Sequence, residues 1–99
     1  MSDDRQRYLD VLRSPELMEQ LAAIEHERWA HWQRHMHSRC TIGADGSLTI
    51  PAELAARWTS QMSTPYEDLP EEQRESDREQ VRRYLPILEE ALAPESSGP

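Results

Sequence analysis

Glu25, Arg28 and Trp32 recur at intervals of three and four residues, the spacing that brings side chains onto one face of an α-helix. Two ionisable groups beside an indole on an otherwise apolar stripe call for an explanation, because a buried ion is costly unless it is paired and hydrogen-bonded. A second set, Arg74, Asp77 and Arg78, lies on the backward continuation of another apolar stripe, with Tyr66 shortly before it. If the two helices pack by their stripes, the sets face each other, and two arrangements follow. In one, Glu25 pairs with Arg78 and Arg28 with Asp77, holding the helices in register. In the other, the sets line opposite walls of a polar cleft. There Arg28, Arg74 and Arg78 would contact a phosphate or carboxylate, with Glu25 and Asp77 orienting them. Trp29, Trp32 or Tyr66 would stack on a planar ring.

Other chemistries find less support. His26-Glu27 followed by His31 resembles the zinc-protease pattern H-E-x-x-H, but the second histidine comes five residues on, about 140° around a helix, too far to share one ion. His31 and His35 are four apart and could ligate together, yet only Glu27 offers itself as a third ligand. Solvated histidines on a polar face are the expectation, with no metal and no cofactor. Cys40 follows a helix rather than opening one, and no glycine-rich turn surrounds a serine, so nucleophilic catalysis is not expected. None of the three glycines builds a phosphate-cradling loop. The chain does not read as an enzyme.

The elements that must hold these residues are helical. Asp3 to Arg13 suits a short first helix. Ser14-Pro15 is a restart, with serine as cap and proline at the first helical position, and the main helix is expected from Pro15 to about His37. Its stripe is Leu17, Leu21, Ile24, Trp32 and Met36, with Met18 and Trp29 at the edge. Thr41 to Ile50 has β-favouring ends around Asp45-Gly46 and predicts a hairpin. A helix from Pro51 to about Met62 carries Ile50, Leu54, Trp58 and Met62 at fourfold spacing. Asp68 and Glu71 have capping-box spacing ahead of a last helix, Leu69 to about Leu92, whose stripe is Val81, Tyr84, Leu85, Leu88 and Leu92. Pro86 should kink or divide it. The fold class is therefore mainly α, with long antiparallel helices and one short hairpin. Residues 1–14 form an N-terminal extension, 15–93 one domain, and 94–99 a disordered tail.

Ninety-nine residues with no phenylalanine allow only a thin core. A net charge of −8 argues against nonspecific binding to DNA, RNA or an anionic membrane. All eleven basic side chains are arginine, whose planar donor fork suits carboxylate and phosphate, although genome composition explains the bias equally well. A lone cysteine, no apolar run of membrane-spanning length and no signal-peptide pattern point to the cytoplasm.

The segments IEHERWAHW and TPYEDLPEEQRESDREQVRRYLPIL together resemble the RyR domain, a small module repeated in ryanodine receptors and found as stand-alone or fused bacterial and phage proteins. The similarity runs from about Leu17 to Leu92. It rests on His26 and Trp29, Pro65-Tyr66, Leu69-Pro70-Glu71, Asp77-Arg78 with Val81, and Pro86 with Leu88. The middle departs from the family pattern, because the Cys40–Ile50 hairpin and the Pro51–Met62 helix stand where glycine-tryptophan, tyrosine-glycine and histidine-proline segments are usual. The resemblance implies a non-enzymatic helical module for a nucleotide-like anionic ligand, a sensor or sequestering protein in phage–host conflict and anti-phage defence. Glu25 and Asp77 would then also accept from a base or ribose. The alternative is a protein-interaction module, homodimeric among its forms, that uses Trp58, Met62 and the acidic helix face.

Overall fold

The computed structural model describes residues 2–94. Helix α1 is Ser2–Leu12, α2 is Pro15–Arg39, β1 is Thr41–Ile42, β2 is Leu48–Thr49, α3 is Ala52–Met62 and α4 is Glu71–Leu92, with one 3₁₀ turn at Tyr66–Asp68. A mainly α domain with a short hairpin is what the periodicity predicts. Of the expected tail, all but Pro94 lies outside the described residues.

The spine is α2, whose 25 residues extend roughly 38 Å. It starts where the sequence places it: the Ser14 hydroxyl accepts the Leu17 amide at 3.2 Å and Pro15 takes the first turn. In the hairpin, Thr41 pairs with Thr49 and Ile42 with Leu48. Gly46 turns the chain at φ 86, a left-handed conformation that glycine adopts without strain, and the Asp45 carboxylate accepts the Ser47 amide at 3.0 Å.

Helix α4 departs from expectation in three ways. It begins at Glu71 behind a Pro70 cap that makes no side-chain bond, so the Asp68–Glu71 capping box does not form. The proline ring presets the dihedral of the entering backbone, which makes a side-chain cap dispensable. The helix also continues through Pro86 without division. Finally, Val81 and Leu85 are exposed, while Gln80, Tyr84, Ile87 and Ala91 are half-buried. Of the predicted stripe, Tyr84, Leu88 and Leu92 are half-buried as expected; the packed side widens from them to Gln80, Ile87 and Ala91 and leaves Val81 and Leu85 outside.

Helices α2 and α4 run antiparallel. The Tyr84 hydroxyl donates to Glu25 and the Arg83 guanidinium to Glu27, while Leu17 and Ala91 border one concavity at the far end. Helix α1 closes that end, its Arg7 donating to the Leu92 carbonyl at 3.4 Å. The β-hairpin and α3 lie at the other end of α2. The resulting shape is elongated, 60 × 34 × 22 Å, with a radius of gyration of 19.6 Å. A compact chain of this length would have roughly 13 Å.

Only Leu17, Ile24 and Leu54 are buried among the described hydrophobic residues, and α4 contributes none. So small a core makes each member expensive to lose. Leu17→Ala is expected to cost about 2–5 kcal/mol in urea denaturation at fixed protein concentration. Met62→Ala, at a side chain 79% exposed, should stay within about 0.5 kcal/mol of the parent.

Candidate functional site

The ionisable residues singled out in the sequence separate into two clusters. In the first, Arg28 donates to the Glu25 carboxylate from one turn along α2, and Tyr84 reaches the same carboxylate from α4. The Arg28 bond, then the Tyr84 bond, lowers the Glu25 carboxyl from 4.5 to about 2. The carboxylate in turn raises the Tyr84 phenol and holds Arg28 charged. The second cluster is a ladder along α4. Arg74 and Arg78 both donate to Glu71 at 2.8 Å, and Arg78 and Arg82 to Glu75 at 2.7 and 2.6 Å. Bonds from Arg82 and then Arg78 bring Glu75 to about 2. Arg78 is held charged above its ordinary range by Glu71 first, then Glu75 and the Tyr66 hydroxyl.

Neither anticipated cross-helix pair, Glu25–Arg78 or Arg28–Asp77, forms. The reason is register. The Glu25–Tyr84 and Glu27–Arg83 bonds place Arg78 level with Trp32 rather than with Glu25, a displacement of about 10 Å along the axis. Sliding the helices to pair the charges would pull Ala91 away from Leu17, with which it borders one concavity. Each arginine instead finds a carboxylate three or seven residues away on its own helix. Asp77 is exposed. The Nε of Arg74 is buried without a hydrogen-bond partner, while its terminal nitrogen reaches Glu71.

The aromatic residues also disperse. Trp32 meets Trp58 of α3 edge-on, with ring centroids 5.3 Å apart at 68°, and His35 at 5.6 Å. That contact, worth about 0.5–1.5 kcal/mol beyond its area, joins α3 to α2 and leaves the Trp32 ring engaged by protein. Trp58, expected as an exposed anchor, is half-buried by it. Trp29 lies 54% exposed, with the His26 ring stacked at 6.0 Å. Tyr66 is exposed on the 3₁₀ turn.

Concavities of about 410 and 450 Å³ lie beside α1, one between Val11, Leu17 and Ala91 and the other along Tyr8 and Leu9. None of the anticipated ligand residues lines either. Among the described residues no three His, Cys, Asp or Glu side chains gather as a metal site, and no helix is long and apolar enough to cross a membrane.

Tyr84 and Arg83, which bond to α2 from α4, carry no distinguishing mark in the sequence. Tyr84 reads as one more apolar position on the last stripe, and its hydroxyl acquires meaning only once the register sets it beside Glu25. The chain matches no protein-family model, no curated protein and no solved structure.

Because the Glu25 carboxyl is depressed in the folded state, the stability it adds is fully present above about pH 4.5 and disappears as pH falls toward 2. Glu25→Gln should therefore be less stable than the parent by a constant margin above pH 5, and the two should converge between pH 4.5 and 2. Urea midpoints across that range check this. A margin that persists unchanged at pH 2 would remove Glu25 as the titrating partner of Arg28 and Tyr84.

Proposed function

We propose that this chain is a non-enzymatic helical interaction module, RyR-like in its two sequence blocks, that acts in the cytoplasm by binding protein through its uncovered apolar surface. The observation that carries this reading is the imbalance between core and surface. Among the described residues, three hydrophobic residues are buried, while twelve large ones, Trp29, Met18 and Met62 among them, are exposed. Scattered apolar side chains on a surface are ordinary, but a domain with more large hydrophobics outside than inside is completed by a partner. Tryptophan and methionine are also side chains that protein interfaces favour.

The reading of the site as a nucleotide cleft draws less support. Arg74, Arg78 and Arg28 each spend donors on carboxylates of their own helix, and the Trp32 ring is engaged by Trp58. An anionic ligand would have to displace those partners.

Two measurements decide between the readings. In thermal melts against nucleotides and cyclic nucleotides, the interaction reading expects no shift. A ligand at about 100 times its dissociation constant adds roughly 2.7 kcal/mol, some 10–20 °C for a chain this short. A shift of that size that Arg78→Ala abolishes would replace the interaction reading with the ligand one. In the second measurement, a photocrosslinking residue at Trp29 should give protein adducts of discrete mass in cells. A folded chain that yields none sinks the reading.

A further inference from the structure

The exposed apolar residues of α2 and α4 are not scattered; they share one side of the helix pair. On α2 the packed stripe is Leu17, Leu21 and Ile24, and the residues one position later, Met18, Ala22 and Glu25, continue to Trp29 at helical spacing. On α4 the half-buried residues Gln80, Tyr84, Ile87 and Ala91 are likewise each followed by an apolar one: Val81 and Leu85, which are exposed, and Leu88 and Leu92, which are half-buried at the margin of the face. One residue is a turn of about 100°. Antiparallel helices viewed from one end advance in opposite senses, so this turn carries both second stripes to the same side of the pair.

The register completes the match. Extended from the Glu25–Tyr84 and Glu27–Arg83 bonds, it brings Trp29 level with Val81, Glu25 with Leu85, Ala22 with Leu88 and Met18 with Leu92. Met18 is 65% exposed, Trp29 54%, Val81 52% and Leu85 45%. Helix α1 leaves Met18, on this side of α2, exposed. The concavity it borders is lined by Glu16, Leu17 and Gln20, on the flank of α2 turned away from Met18.

Resting on the interaction reading above, we infer that the occupant of this face is a second copy of the chain, the two helix pairs stacking about a twofold axis into a four-helix bundle. Area supports that occupant. The chain exposes 8128 Å², against roughly 5,800 Å² for a compact folded monomer of its mass. Subtracting about 900 Å², the most that the six residues outside 2–94 can contribute, leaves an excess of about 1,400 Å². Two copies burying that excess would cover about 2,800 Å², within the roughly 2,000–5,000 Å² of obligate homodimers. A two-helix layer with one apolar face needs a layer of the same width against it, and a second copy supplies one of identical length and pattern. The polar group at the centre of the face is ready for burial, because Glu25 already holds Arg28 and Tyr84 as hydrogen-bond donors. Net charge opposes association of like copies, so salt should strengthen the dimer.

Sedimentation equilibrium of the full chain at 1–200 µM tests this, alongside Trp29→Glu, Leu85→Glu and Met62→Glu. The parent is expected at twice 11.6 kDa by about 10 µM, more tightly dimeric at 0.5 M salt than at 0.05 M. Trp29→Glu and Leu85→Glu should each weaken association about a hundredfold or more, while Met62→Glu, off the face, leaves it intact. Should the charged variants lose helicity, a photocrosslinking residue at Ala22 in the otherwise parent chain must still give an adduct of doubled mass. A parent monomeric at 200 µM overturns the second copy as occupant, as does a dimer that folded Trp29→Glu and Leu85→Glu leave untouched. If that monomer still forms adducts with other proteins at Trp29, the self-association fails while the interaction reading stands. If it forms none, both fail.

Discussion

The register between α2 and α4 is the constraint on which the rest depends. Two helices of 25 and 22 residues lie antiparallel, and only a few side chains say how far one slides along the other. The apolar end, with Leu17 and Leu21 level with Ile87 to Leu92, sets the coarse position. The carboxylate of Glu25, shared by Arg28 and Tyr84, and the Glu27–Arg83 pair then fix it to within one turn. A slip of one turn would part the Tyr84 phenol from Glu25 and Arg83 from Glu27 and uncover what little core exists. Ion pairs on an exposed helix contribute little individually to stability. Here they select among nearly equivalent packings.

The parts of the fold legible in the sequence are those dictated locally. Ser14-Pro15 announces the start of α2 because a capping hydroxyl and a preset proline dihedral act within one turn. Asp45-Gly46 announces the hairpin because glycine adopts positive φ without penalty. The inter-helix pairing was not legible. Glu25, Arg28, Arg74, Asp77 and Arg78 admit several complementary arrangements, and charge alone does not rank them. What ranks them is the apolar match at the opposite end, together with carboxylates nearer in sequence. Glu71 and Glu75 are one or two turns from the arginines they hold, so an intrahelical bond forms without waiting for tertiary contact.

That local satisfaction also explains how α4 remains a helix with no buried residue. Its first half is stabilised by a chain of arginines alternating with glutamates, Glu71 to Arg82, whose donors and acceptors meet on one flank. The guanidinium fork makes this ladder effective, since one arginine can engage two carboxylates at once, as Arg78 does. The consequence for recognition is that these arginines reach the surface already neutralised. The adjoining stripe of Val81 and Leu85 is left as the adhesive part of the helix.

The contact between Trp32 and Trp58 has a further consequence. Helix α3 and the hairpin are cantilevered from the far end of α2, and this edge-on aromatic pair joins α3 to the spine. The opposite end is knitted by α1, α2 and α4 together. With the buried Leu54 as its other anchor, the arm rests on few side chains, so its opening need not disturb the helix pair. Hydrogen exchange is accordingly expected to reach the amides of α3 before those of the paired segments of α2 and α4.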